Sequence, residues 1–538
     1  MARFTPPVFD YRRCADQDSP RPARHEVVII GAGMVGLTAA LDLAQRGVAV
    51  LLLDDDNTVS VGSRSICQAK RTLEIWDRLG AAAPMLEKGV TWQIGRVFFR
   101  GQEVYNFDLL PEGGHRFPAF INLQQYFVEH YLLERVADCP AIELRWKNRL
   151  AGLTPHADGV RLSIETPDGG YTLEAGWVIA ADGARSTARR LMGLDFKGRV
   201  FEERFLIADV RMPEPPFGRT GVPERWFWFE PPFHKGDSAL LHRQADDVWR
   251  IDFQLGPDAD PEAERQPERV APRLRTMLGE NARFDYEWLS VYTFQCRRLE
   301  KFRHGRVIFA GDAAHQVSPF GARGGNSGVQ DADNLAWKLA LVLQGTAPET
   351  LLDSYDEERG FAADDNILNS TRSTDFMTPR TAAARRFRDA VLALAERHPF
   401  ARRMINSGRL STATVLDRSP LNTPDRDPFA PTMRPGSAAA DAPVGAQGRE
   451  SWLLEHLRSG FTGLYFSDDD AGSLPVPVVR LGRNALEDRD GLAAKRYDAR
   501  PGTFYLLRPD QHVAGRWRTL DRNAIAAALA RATGKASG

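Results

Sequence analysis

The chain has 538 residues, long enough for two or three domains rather than a single core. Its formal net charge is −1 and its arginines alternate with acids, which excludes the basic field that nucleic acid or an anionic membrane surface would require. Its four cysteines (Cys14, Cys67, Cys139, Cys296) form neither a CxxC nor a zinc spacing, so no metal site is expected and a reducing compartment suits the chain. No apolar run approaches a membrane span, and the first two dozen residues contain no apolar signal-peptide region. A soluble, cytoplasmic protein is the expectation.

In chain order, residues 1–24 form a polar N-terminal extension. Residues 25–30 (HEVVII) read as a strand, and Gly31-Ala-Gly33-Met-Val-Gly36 opens a helix running to about Arg46, with Gly47 as its C-cap. A second strand ends at Asp54. Glycines between strand and helix let backbone N–H groups approach a pyrophosphate at the positive helix end, and an acid at this distance bonds a ribose hydroxyl pair. A third strand-turn element, residues 176–186, carries Asp182-Gly183 and Arg185. Residues 196–295 are strand-rich, with strands read at 225–229, 238–242 and 248–255. A strand at 306–310 then breaks at Gly311-Asp312 and enters a small-residue loop, Pro319 to Asn326, before a helix with Val329, Ala332, Leu335, Ala336, Leu339 and Leu343 on one face. One dinucleotide gripped from two such distant places points to FAD rather than to NAD on a self-contained domain. Residues 376–448 read as helices followed by a Pro/Gly/Asp-rich linker, and 449–538 as a final domain ending in an amphipathic helix over 521–532.

The three motifs in this order resemble those of the FAD-dependent aromatic hydroxylases, the class A flavoprotein monooxygenases, over roughly residues 25–375. The likeness is strongest to the 3-(3-hydroxyphenyl)propionate and phenol hydroxylase branch, through Asn326-Ser-Gly328 and the run 334–341 (NLAWKLAL). The resemblance implies an α/β fold: a Rossmann-like FAD-binding domain in two parts (25–195 and 296–375), an inserted β-sheet substrate domain like that of 4-hydroxybenzoate hydroxylase (196–295), and a C-terminal thioredoxin-like domain. It implies cofactor contacts for Gly31, Gly33, Gly36, Asp54, Arg64, Gln124, Asp182, Arg185, Gly311, Asp312 and the backbone of Gly324, Gly325 and Asn326. It further implies NADPH or NADH as electron donor, O2 as co-substrate, a phenolic or related aromatic substrate, transfer of oxygen through a flavin C4a-hydroperoxide, and a homodimer by analogy.

Matched without gaps to the 4-hydroxybenzoate hydroxylase sheet, the carboxylate-holding arginine falls on Gln244, its neighbouring serine on His242, and the phenol-binding tyrosine on Asp252. The sheet's structural arginine is retained as Arg250, and the aspartate of phenol hydroxylase is replaced by Ile66. His242 is the expected base, titrating near neutrality, with Asp252 as fallback and Pro319 contributing its carbonyl beside the transferred oxygen. Trp228, Arg250 and Arg323 are the substrate-side candidates. Each has a plainer reading: His242 and Trp226 to Trp228 as sheet core, Asp252 as solvated, Arg323 as a loop arginine. Two rival functions stay open. Residues 226–231 (WFWFEP) loosely match the WxWxIP signature of flavin-dependent halogenases, with Glu230 in place of Ile, and a non-catalytic flavin-binding protein would keep the same cofactor motifs.

Overall fold

The computed structural model describes residues 4–535 apart from 219–222, 235, 406–409, 411, 447, 458 and 484, and apart from the side chain of 202. Near-continuous apolar runs at the sequence motifs become the centre of a parallel sheet covered on both faces, which is why they do not alternate. Its strands lie in the order Arg303–His304, Val307–Phe309, Gly169–Ala180, Ala23–Ile30, Val50–Leu53 and Ile142–Arg145, with two antiparallel strands (Arg149–His156, Gly159–Thr166) extending from the long third one. Ile30 pairs with both Leu53 and Ala180, and Ala180 pairs with Phe309. The chain therefore leaves this sheet towards Gly31, Asp54, Asp182 and Asp312 at one carboxyl edge, where α/β sheets bind ligands.

A second, eight-stranded sheet runs in the order His315–Gln316, Asp285–Arg298, Lys197–Arg211, Val248–Leu255, Ser238–Arg243, Arg225–Phe229, Ile94–Phe99 and Gln102–Asp108. Its last two strands come from the first FAD-domain segment, and Ile94–Phe99 pairs in parallel with Arg225–Phe229. The substrate sheet is thus wider than residues 196–295, because the exposed edge of a strand is completed by whichever segment lies beside it. A three-stranded sheet (Cys67–Ala69, Phe120–Asn122, Val90–Trp92) lies against one face of it, with the Trp92 and His242 rings 6.0 Å apart, edge to face.

The helices Gly324–Leu343 and Asp353–Met377 return the chain to the FAD domain, and Ala382–Ala395 and Pro399–Ile405 follow. The C-terminal sheet has the order Val478–Leu481, Thr462–Phe466, Thr503–Leu507, Val513–Trp517, with the first pair parallel and the others antiparallel. That is a thioredoxin-like strand order, closed by the helix Arg522–Ala532, and no cysteine lies beyond Cys296 to give it dithiol chemistry. Among the described residues, no helix is long and apolar enough to cross a membrane.

Candidate active site

Close packing of backbone explains the glycines of the groove. Gly31 lies at φ +101°, and a Cβ there would stand 2.6 Å from the Ala181 carbonyl oxygen; at Gly36 it would stand 1.9 Å from that of Gly31. Gly33, by contrast, has only Glu129 Oε1 within 4 Å, so the open side of the turn lies there. Asp54 accepts from the N–H of Ala32 (2.5 Å) and of Asp56 (2.8 Å), which anchors its carboxylate at the turn and leaves lone pairs for a further donor. Gly311 and Gly328 both abut Val35 on the first helix, and this contact brings the two distant cofactor segments together. Asp182 accepts from Ala188 N at 2.9 Å while its Oδ1 is buried without a partner. Asp312 is exposed into the groove; the surrounding protein nevertheless raises its carboxyl pKa, against the pull of His315, Arg64 and Arg189.

Several residues expected at the cofactor do other work. Gln124 is buried and its Nε2 donates to the Ala245 carbonyl at 2.9 Å, which fastens the FAD segment to the substrate sheet. Its neighbour Gln125 is the one that turns into the groove, accepting from Ser65 N (3.3 Å) and donating to Glu129 Oε1 (2.9 Å). The Gln124 Oε1 is buried without a partner among the described residues. Arg185 is exposed and has no hydrogen-bond partner among the described residues, whereas Arg189 donates to the carbonyls of Ala313 (3.0 Å) and Ala184 (2.8 Å) and so ties the Asp182 turn to the Asp312 loop. Arg64 is exposed above the same loop. Asn326 spends its whole side chain on structure, accepting from Ala69 N and Thr72 Oγ1 and donating to Cys67 O and Ala322 O. Gly324 starts the helix with ordinary φ and only Val317 nearby, so the crowded position is Gly325, 2.8 Å from Ser65 Oγ and 3.0 Å from Met34 Sδ. Sequence reasoning also missed Asp331, which accepts from Gly311 N (3.0 Å), pairs with His315 Nε2 (2.6 Å) and Arg359 Nε (2.6 Å), and so holds the Gly311-Asp312 loop from below.

The substrate sheet presents two faces, and strand parity sorts the candidates. On one face lie Phe205, Phe227, Phe229, Leu240 and Phe294, with Phe320 of the 319–326 loop packed on Phe205 and Phe294 at 5.3 and 5.0 Å. His242 and Asp252 share that face. Trp228 does not: it packs with Phe98, Trp226 and Phe233 on the opposite face, so it is core, not pocket. Arg250 is committed to Asp209 through Nε (2.8 Å) and Nη2 (2.7 Å) and to the Ser63 carbonyl, which makes it a strut between sheet and groove and not a substrate contact. Arg323 is buried and its Nη1 donates to Asn366 Oδ1 (3.3 Å) of the Asp353–Met377 helix. Pro319 is exposed, and its carbonyl accepts from Ala322 N at 3.0 Å within a tight turn.

Burial sets the charges here. Asp252 is reachable from solvent through the cleft but walled by protein, and desolvation pushes its carboxyl up to about 7 despite Arg250 and Arg225. Its Oδ1 has no partner. His242 is held neutral, far below its usual range, by burial and by the same two arginines. The expected inflection from a titrating His242 therefore does not follow from its surroundings; Asp252 is the group poised near neutrality.

A family model described as an FAD binding domain matches residues 24–370. The chain belongs to this family of FAD-dependent aromatic monooxygenases. It is 30% identical over 546 residues to the 6-methylpretetramide 4-monooxygenase of Streptomyces rimosus, covering 94% of this chain and 93% of that one. It is 29% identical over 483 residues to a 3-(3-hydroxy-phenyl)propionate/3-hydroxycinnamic acid hydroxylase of Mycolicibacterium smegmatis, covering 90% of this chain and 83% of the relative. Among solved structures, the flavin-dependent monooxygenase PieE in complex with FAD and substrate superposes with a TM-score of 0.81 at 23% identity, covering 96% and 100% of the two chains. The fold of this monooxygenase is accordingly that of 4-hydroxybenzoate hydroxylase. Its groove fits FAD on its own evidence: crowded glycines beside an open Gly33, an unpartnered Asp182 oxygen, and an acid exposed on the floor at Asp312.

Proposed function

We propose that this monooxygenase takes two electrons from NADH or NADPH and one atom of O2 to hydroxylate a phenolic, fused-ring aromatic substrate, with water as the other product. The observation that carries this reading is the junction of the groove with an aromatic sheet face bearing one acid that titrates near 7, Asp252. The full-length likeness to a 6-methylpretetramide 4-monooxygenase supports a polycyclic substrate over a single-ring acid.

FAD held in the groove supplies the redox chemistry with the nicotinamide and O2. The chain's own part is to bind, orient and deprotonate. Asp54, Asp182 and Asp312 would hold the hydroxyls of bound FAD, and the open N–H groups at Gly33 and at the start of the Gly324–Leu343 helix favour negative charge. Phe205, Phe227, Leu240 and Phe320 wall the substrate and exclude water. Ionised Asp252 accepts the phenol proton, which makes the ring carbon ortho or para to that oxygen a stronger nucleophile; a positioned base of this kind is worth roughly 10²–10⁴-fold. The neutral His242 imidazole beside it orients the substrate oxygen by hydrogen bonding. Pro319 lies on the loop that brings Phe320 onto the sheet face, and a homodimer is expected, which light scattering tests.

The deciding experiment is a panel of single-ring phenolic acids, naphthols and hydroxylated anthraquinones, scored with NADH and NADPH for O2 uptake and hydroxylated product by mass spectrometry. Coupled hydroxylation of the fused-ring phenols is expected. Coupling with single-ring acids alone would refute the polycyclic assignment, and no coupling with any phenol would refute the phenol reading.

A further inference from the structure

Burying a charge costs much unless it is paired and hydrogen-bonded, so an arginine that is largely buried without a partner among the described residues is an unusual feature. Arg225, at the start of the Arg225–Phe229 strand, is such a residue. Its alternation with Trp226 places it on the face of Phe227, Leu240, His242 and Asp252. It is partly accessible from the cleft, its Nε is buried without a partner, and it makes no hydrogen bond to any described residue. The acid next to it in sequence is occupied elsewhere: Glu224 takes both Arg96 Nε (2.6 Å) and Nη2 (2.7 Å) and also Trp226 Nε1 (2.9 Å). The Arg250 charge, two strands away, is answered by Asp209 at 2.7 Å. The remaining groups that face Arg225 are the Cys67 thiol, His242 and Asp252.

Three buried polar atoms on adjacent strands and on one sheet face thus have no hydrogen-bond partner among the described residues: Arg225 Nε, His242 Nδ1 and Asp252 Oδ1. One group donates, one is neutral, and one accepts. We infer that Arg225 is the specificity-determining residue of this pocket, holding the oxygen of the substrate as an anion after Asp252 has taken its proton. Resting on the phenol reading above, the inference narrows the substrate class to aromatics carrying an acidic phenolic or enolic hydroxyl. In this step the substrate O–H bond breaks, the proton goes to the Asp252 carboxylate, and the electron pair stays on the substrate oxygen beside the guanidinium. Charge is conserved: one anion is replaced by another, now in contact with Arg225. Burial lowers the arginine's own pKa and pushes Cys67 up to about 11, so the thiol stays protonated and does not compete as the anion. Arg250, Asp209, Arg225, His242 and Cys67 are the groups around Asp252, and of the two cations only Arg225 has no hydrogen-bond partner among the described residues.

The test needs no turnover. 2-Hydroxyanthraquinone, whose phenolate absorbs at longer wavelength than the phenol, is titrated into FAD-loaded enzyme across pH, alongside 2-methoxyanthraquinone. Wild type should lower the ionisation midpoint of the bound phenol and bind it roughly tenfold or more tighter than the methyl ether. In Arg225→Gln the midpoint should return towards that of free phenol, with FAD content unchanged, and Arg225→Lys should lie between. Equal midpoints in wild type and Arg225→Gln, equal affinity of wild type for phenol and ether, or no binding of either probe would each overturn the inference. Ionised binding without hydroxylation of any phenol would instead sink the proposed reaction and leave the inference standing.

Discussion

Asp252 and His242 lie two residues from register partners on neighbouring strands, yet burial treats them oppositely. An aspartate pushed up to about 7 becomes ionised as pH rises through neutrality, so the rate of substrate hydroxylation should climb with pH and level off above about 7. Asp252→Asn should remove that rise and cut the rate by roughly 10²–10⁴-fold while leaving flavin content intact. His242→Gln should keep the rise, because a histidine held neutral contributes no proton equilibrium in that range. Stopped-flow rates across pH for the two variants check this, and loss of the inflection in the histidine variant would return the base to His242. Gly325→Val should displace Ser65 and Met34 and slow flavin reduction, whereas Gly324→Ala should be silent in the same assay, since a Cβ there meets only Val317 at 3.7 Å. The FAD class of the cofactor was legible because glycine and acid spacing is local. That Trp228 lies on the face opposite His242 and that Arg323 donates to Asn366 were not legible, because the face of a strand or the direction of a loop arginine depends on what packs against it.

At the scale of elements, the Gly311-Asp312 loop is set by a helix that follows it. Asp331, on the Gly324–Leu343 helix, holds the loop's first N–H together with His315 and Arg359, and all of these are buried. Asp312, in contrast, is exposed in the groove. Asp312→Ala should therefore weaken flavin retention with little change in the apoprotein's thermal midpoint. Asp331→Ala should lower both, because it strands the buried Arg359 guanidinium and leaves the His315 ring and the Gly311 N–H without their acceptor, at a cost of about 3–5 kcal/mol. Flavin content and calorimetry on the two variants separate the roles; an unshifted apoprotein midpoint in Asp331→Ala would show that the clamp is not structural. The strands Ile94–Phe99 and Gln102–Asp108 were readable as strands but not as part of the substrate sheet. Strand propensity is local, while the choice of sheet is decided by which open edge lies within reach.

The C-terminal domain is joined to the FAD domain by charge as well as by packing. Arg508, fully buried, donates to Glu358 at 2.6 and 3.0 Å and to Asp510 at 3.0 Å, while Lys338 Nζ reaches Glu358 at 2.8 Å and Arg71 reaches the Asp510 carbonyl at 2.7 Å. Burial brings Lys338 down to about 8, and the two cations hold the Glu358 carboxyl far below the usual range. Arg508→Met leaves two carboxylates facing each other in the interior, so it should destabilise the whole molecule by about 3–5 kcal/mol and lower flavin retention with it. A calorimetric trace in which only the C-terminal domain melts early would show that the network does not couple the two. The sequence alone determined the cofactor class and the order of the glycine and acid motifs along the chain, since each rests on residue identity and short spacing. Only the tertiary structure decided the separate hydrogen bonds of Gln124 and Gln125, which strand residues share the face of His242 and Asp252, and that Arg225 makes no hydrogen bond to the described residues there. Those outcomes depend on burial and on contacts between residues far apart in the chain, where the free energy of a side chain is set by its neighbours in space.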